Sequence, residues 1–358
     1  MRKSNCILVM LIIWMLLFIS GCQGSSDIAR NNIHADCHSS EIRYEEKTPS
    51  ADDHSSEIAY EEKTPSDVFV YKFNPNVISE EYKTIYGEEI DEEFFSFCDA
   101  ILKKEKIFPC RSQERFYQLL SISNFCFPIA QELINKEKSS FNAGICHFVY
   151  RYSDEKLDEL ILAFEEKVTD VIRLAVPYDE PDYIKAMELF TAVANKDAYD
   201  DSYTLEESLK LRSYRSIMED IGICQEIEAE YIYYLLQVGI DAFPCSSLNA
   251  DQSEAHEWTM VKLEGNYYHM DPTYAINYPN SLYFFGMDDI QREYYGDYPK
   301  ENYTYAASDV LSDCTATDRR FEKMWLAEKY EIDHIGRKIV ITENNTGNRC
   351  EYDFEVFQ

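Results

Sequence analysis

The sequence predicts an α+β core with a helical cap, and three stretches carry that prediction. His256 to Leu263 is rich in β-formers, Glu264-Gly265 is a tight-turn signal, and Tyr267 to Asp271 is a second extended run that Pro272 stops. Upstream of this hairpin, Gly222-Ile223-Cys224-Gln225-Glu226 leads into Ile227, Tyr231, Leu235 and Val238, an apolar series at helical spacing that ends at Gly239. That pattern is a helix with a cysteine in its first turn. Earlier in the chain, a run from Glu92 through Lys104 places Phe94, Phe97 and Ile101 on one side, and a second helical run spans Gln113 to Leu133.

From the start, Arg2 and Lys3 precede an apolar run from Ile7 to Ile19, too short to be a comfortable membrane span and followed by Ser20-Gly21-Cys22. Residues 1–21 resemble a bacterial lipoprotein signal, after which Cys22 would carry lipid and begin the mature chain. An uncleaved signal anchor is the alternative. Either one exports the chain, to the extracytoplasmic face of a bacterial cell membrane.

Residues 22–66 are polar and hold a duplication: His38 to Ser50 returns sixteen residues later as His54 to Ser66, with Arg43 replaced by Ala59. Two copies without hydrophobic periodicity cannot build a solenoid core, so the segment reads as a flexible tether. Its His34, His38 and His54 are better explained by duplicated linker than by metal binding.

A mainly helical region is expected over 67–165. Within it, Ala143 to Tyr152 alternates as a strand, with His147 expected as a satisfied core residue, and Ser153-Asp154-Glu155 opens a helix carrying Leu157, Leu160, Ile161, Phe164 and Val168. The core is expected over 166–305, where Pro181 opens a helix in its first turn and Met187, Phe190 and Ala194 mark the buried side. Ser281 to Tyr305 is dense in tyrosine, suited either to holding a peptide or sugar ring in a cleft or to ordinary packing. Over 306–358 a helix carrying Phe321, Trp325 and Tyr330 is expected, then a hairpin from Lys338–Thr342 and Cys350–Val356.

The formal charge of -32 makes nucleic acid a poor partner. Of eleven cysteines, eight remain once Cys6, Cys22 and Cys224 are assigned, and no C-x-x-C pair or zinc spacing is present, so neither metal nor cofactor is implied. Disulfides are possible in an exported chain, including one between Cys224 and Cys245 that would make Cys224 structural.

The hairpin and the helix together suggest chemistry. A two-residue turn at Glu264-Gly265 pairs Leu263 with Asn266, and counting outward sets Asp271 opposite Trp258, diagonally beside His256. A carboxylate there accepts the imidazole N–H, fixing the tautomer and stabilising the imidazolium. A cysteine at a helix start is favoured as thiolate, although Glu226 and Glu228 close behind would oppose this unless their side chains point away.

Gly222-Ile223-Cys224-Gln225, a helix ending at Gly239-Ile240, His256 leading a strand, a glycine turn, and Tyr268-His269-Met270-Asp271-Pro272-Thr273 occur in the order found in the transglutaminase-like superfamily, which this chain resembles. The likeness runs from near 180 to 290; it includes Asp182 to Asp200, similar to the helix before the cysteine in bacterial members, and Tyr283-Phe284-Phe285-Gly286 after the hairpin. It implies a papain-like core, a nucleophile helix packed on an antiparallel sheet, with Cys224 as nucleophile, His256 as general base and acid, and Asp271 as orienting carboxylate. It further implies acyl transfer or hydrolysis on protein or peptide amides through a thioester. A catalytically weak or inactive binding lipoprotein and a cell-wall cysteine peptidase are the alternatives. No Walker, Rossmann, HExxH or GxSxG signature competes.

Overall fold

A computed structural model describes residues 67–202, 212–312 and 314–358. Cys22, the duplicated segment and the signal lie outside these residues. The protein mixes helix and sheet. Helices α1 (Glu81–Tyr86) and α2 (Ile90–Leu102) come first, and Phe94, Phe97 and Ile101 are fully buried on α2 as the spacing predicts.

The segment from Gln113 to Leu133 is two helices. After strand β1 (Ile107–Pro109), α3 (Gln113–Cys126) ends at Phe127 and α4 (Ile129–Leu133) restarts behind Pro128, which has no N–H to continue the ladder. Strands β2 (Ser140–Asn142) and β3 (Ile145–His147) join β1 in a small sheet, so the expected ten-residue strand shrinks to three. Cys146 and Phe148 are its buried positions, Phe148 packing on Phe97 and Phe108, and His147 therefore faces outward instead of into the core.

Helix α5 (Asp154–Ala175) buries Leu157, Phe164 and Val168. Pro181 stands at the N-cap of α6 (Asp182–Lys196), one residue before the helix proper. Strand β4 (Ala198–Tyr199), helix α7 (Tyr214–Glu219) and strand β5 (Ile221–Gly222) lead to α8 (Cys224–Gln237), the central helix of the molecule. Gly222 lacks the positive φ of a sharp turn; an added Cβ would lie 3.1–3.3 Å from Glu226, Ser216 and Ile227, so close packing is what calls for glycine there.

Every residue of α8 but Gln225 is buried, because it is enclosed by α3, α6, α7 and the main sheet. It ends as expected: Gly239, at φ +84°, donates to Leu236 O, and Ile240 donates to Leu235 O. Strands β6 (Asp241–Leu248), β7 (Ala255–Leu263) and β8 (Asn266–Met270) follow, then α9 (Pro272–Ala275), α10 (Asp289–Tyr294) and β9 (Thr304–Tyr305). The main sheet is antiparallel throughout, in the order β8-β7-β6-β9, and α8 lies against β6 and β7.

The β7–β8 turn has positive φ at both Glu264 (+51°) and Gly265 (+82°), the primed geometry that follows strand twist. Leu263 pairs with Asn266 and the register runs through Thr259 opposite Met270, as the sequence predicts.

No α-helix forms after Asp318. Met324–Leu326 is a single 3₁₀ turn, and Tyr330 sits on β10 (Ala327–Asp333), opposite Ile341 of β11 (Lys338–Glu343). The five-residue step from Trp325 to Tyr330 does not fit one helix face, whereas Tyr330 and Ile332 share one strand face. Strand β12 (Arg349–Asp353) completes a three-stranded meander with the predicted β11–β12 pairing.

Candidate functional site

The site begins where the chain turns into α8. Ile223 is extended at the N-cap (φ -95°, ψ 174°), and Cys224 is the first helical residue, 3% exposed. Glu226, the third, folds back to the helix start. Its Oε2 accepts from the Ile223 N–H at 3.1 Å and its Oε1 from the Arg212 N–H at 3.2 Å. The Arg215 guanidinium grips the same carboxylate, with Nη2 2.6 Å and Nε 3.2 Å away, and its Nη1 donates to Asp200 Oδ2 at 2.7 Å. Burial lifts the Glu226 carboxyl above its usual value while Arg215 opposes the lift. The charge that threatened the thiolate is thus paired with a cation.

Glu228 is handled differently. It is fully buried one turn after Cys224, bonded to the hydroxyls of Thr259 on β7 (2.6 Å) and Thr273 on α9 (2.9 Å). Burial, and then the nearby Asp271, push it well above the usual carboxylate range, so it sits there neutral. These two bonds fix α8 against the strand that carries His256 and the loop that carries Asp271.

His256 lies near the start of β7, opposite Ser247 of β6. Asp271 follows the last paired residue of β8 and caps α9, its Oδ1 accepting from the Tyr274 N–H at 3.0 Å. Its own N–H donates to Phe284 O at 3.0 Å, so the aromatic segment after the hairpin ties down the loop. Asp271 Oδ2 is 2.8 Å from His256 Nε2. A carboxylate can only accept, so Nε2 carries the proton and Nδ1 the lone pair. Burial alone would raise the Asp271 carboxyl; His256, by charge and hydrogen bond, and Arg292 outweigh it, holding the carboxyl below its usual range.

The surroundings are aromatic. The Tyr274 ring stacks on the His256 imidazole with centroids 4.6 Å apart, and Trp258 and Tyr298 flank it. A second histidine stands behind: Trp258 Nε1 donates to His269 Nδ1 at 2.8 Å, so His269 Nε2–H donates to Asp289 Oδ1 at 2.9 Å, and Lys300 Nζ pairs with Asp289 Oδ2 at 2.6 Å. Burial depresses the pKa of His269, which favours this neutral form. Both ring nitrogens of His269 are thus engaged, one holding the Trp258 ring and the other Asp289.

His256 and Asp271 are thus joined directly, and Cys224 opens the helix fastened to both of their elements. Cys224 and Cys245 are both thiols, as are all eight cysteines of the described residues, so the disulfide alternative falls away. No cluster of His, Cys, Asp and Glu among the described residues is arranged to hold a metal ion. No helix among them is long and apolar enough to cross a membrane. Sequence reading missed Arg292, whose neighbours Gln291 and Glu293 mark it as an ordinary surface helix position, and it missed the neutral state of Glu228.

No known protein family matches the sequence, and no curated relative does. Among solved structures, the chain is similar to a crystal structure of a TGase, at 11% identity and a TM-score of 0.28, over 38% of this chain and 43% of that one. It is also similar to a candidate cysteine protease from Cytophaga hutchinsonii, at 13% identity and a TM-score of 0.26, over 38% of this chain and 61% of that one. The shared part spans less than two thirds of either protein, and at these scores the functional reading rests on the site's own geometry.

Proposed function

We propose that Cys224, His256 and Asp271 act as nucleophile, base and orienting carboxylate in acyl transfer or hydrolysis on protein or peptide amides. The observation that carries this reading is the buried His256 Nε2–Asp271 Oδ2 hydrogen bond of 2.8 Å, which leaves Nδ1 basic. The Cys224 thiol gives its proton to Nδ1, and the thiolate sulfur attacks the amide carbon, forming a C–S bond and a tetrahedral oxyanion. Collapse breaks the C–N bond while the imidazolium returns the proton to the leaving amine, giving a thioester. Water or a second amine, deprotonated by His256, then displaces the thiol. The acceptor decides between hydrolysis and cross-linking. Lipid at Cys22 and the tether after it would hold this domain on the outer face of a bacterial membrane, and Cys22→Ala should release the protein into the soluble fraction.

A second reading has one observation in its favour. Cys224 and His256 each expose only 3% of their surface, which suits a fold retained for binding by a surface lipoprotein whose chemistry is weak or lost. Alkylation of Cys224 by iodoacetamide against pH, read by peptide mass spectrometry beside His256→Ala, separates the two. Reaction well below the free thiol pKa of about 8.5, abolished by His256→Ala, supports catalysis. An unreactive Cys224, or one indifferent to His256, refutes it.

A further inference from the structure

Arg292 is a cation held in the molecule's interior, and ordinary stability does not account for it. It has no exposed surface, yet one clear hydrogen bond serves its guanidinium, Nη1 to Tyr295 O at 2.8 Å. Nε and Nη2 make none. Taking such a cation out of water costs several kcal/mol, roughly, unless it is well paired. What it faces is the site: Nη2 lies 3.3 Å from Asp271 Oδ2, the oxygen that also accepts from His256, and its Cζ is 4.1 Å from the centre of the Trp258 ring. Tyr274 and Tyr298 take the same cation at 5.3 and 5.2 Å. The aromatic faces replace part of its lost hydration.

We propose that Arg292 is a positioning residue that holds Asp271 as a fixed anion behind His256. This rests on the catalytic reading above. Asp271 is fully buried beside a second buried carboxyl, Glu228, and two such groups cannot both be charged without a cation. With Arg292 over Asp271 Oδ2 and only hydroxyls and one backbone N–H on Glu228, the single charge settles on Asp271, where the imidazolium needs it. The titratable groups facing the pair are Glu228 of α8, Cys245 of β6, His256 of β7, His269 of β8, Tyr274 of α9, Tyr298 and Tyr303. Burial keeps the Cys245 thiol and the three phenols from ionising to anions and keeps His269 neutral, so none of them competes with Asp271 for Arg292 or adds a second cation.

The test is the pH profile of Cys224 alkylation in wild type, His256→Ala, Arg292→Gln and Arg292→Lys. Removing an opposite charge at this distance raises a carboxyl's pKa by about 1–3 units. Arg292→Gln should therefore move the acid side of the profile to higher pH by about one unit or more, and Arg292→Lys should lie nearer wild type. An unmoved acid side, one moved to lower pH as simple relief of Arg292–imidazolium repulsion would give, or the reverse order of the two variants overturns the assignment. If the wild-type profile does not depend on His256, the catalytic reading itself fails instead. Should Arg292→Gln not fold, carbon-13 NMR of aspartate-labelled His256→Ala decides, because Arg292 is then the cation left beside Asp271 among the described residues. Asp271 must stay ionised below about pH 3.9, the free value, and protonation above it overturns the assignment.

Discussion

Glu257, the neighbour of His256, offers a stability test whose size follows from the structure. Its side chain is buried, its Oε1 has no hydrogen-bond partner, and burial pushes its pKa up to about 8. In the unfolded chain the same carboxyl titrates near 4.3, so above that pH the unfolded state gains ionisation energy that the folded state cannot match until pH exceeds 8. The wild type is thus penalised by about 1.4 kcal/mol for each pH unit in that window, or about 3–4 kcal/mol at pH 7. Glutamine keeps the shape of the neutral acid and cannot ionise. Allowing for an imperfectly paired amide, Glu257→Gln should be more stable than wild type by about 2–4 kcal/mol at pH 7. The advantage should vanish near pH 4. Urea unfolding of both proteins from pH 4 to pH 8 checks this, and titrations shared by the two cancel in the difference. A stability difference that stays constant across that range would mean that Glu257 is already ionised in the folded state.

Arg215→Ala leaves Glu226 buried without its cation and should cost about 2–4 kcal/mol at pH 7, discounted because Arg215 is partly exposed. The loss should shrink as pH falls and Glu226 takes up a proton, and Cys224 alkylation should slow at neutral pH. Thermal melts and the alkylation assay read the two effects. Gly286→Ala places a Cβ 2.6–2.8 Å from atoms of the buried Phe321, at a φ of +63°. Strain and overpacking together should cost about 2–5 kcal/mol, and a variant melting within a degree of wild type would contradict the packing described.

The sequence carried what neighbouring residues decide. Glu264-Gly265 can turn only one way between two period-2 runs, so the register of β7 on β8, and with it the approach of Asp271 to His256, is legible in the residues themselves. The four-residue spacing of Ile227, Tyr231 and Leu235 and the stop at Gly239 likewise set Cys224 at a helix start. Where local signals are weak, tertiary context wins: Trp325 and Tyr330 resemble one helix until β11 draws Tyr330 into a strand, and His147 is turned outward because Cys146 and Phe148 take the core side. The electrical state of the site is beyond local reading. Whether Glu226 is paired, Glu228 neutral and Asp271 ionised depends on Arg215 and Arg292, brought there from other elements, and on burial. A carboxyl's charge is set by everything within several ångströms of it, and folding alone chooses those neighbours.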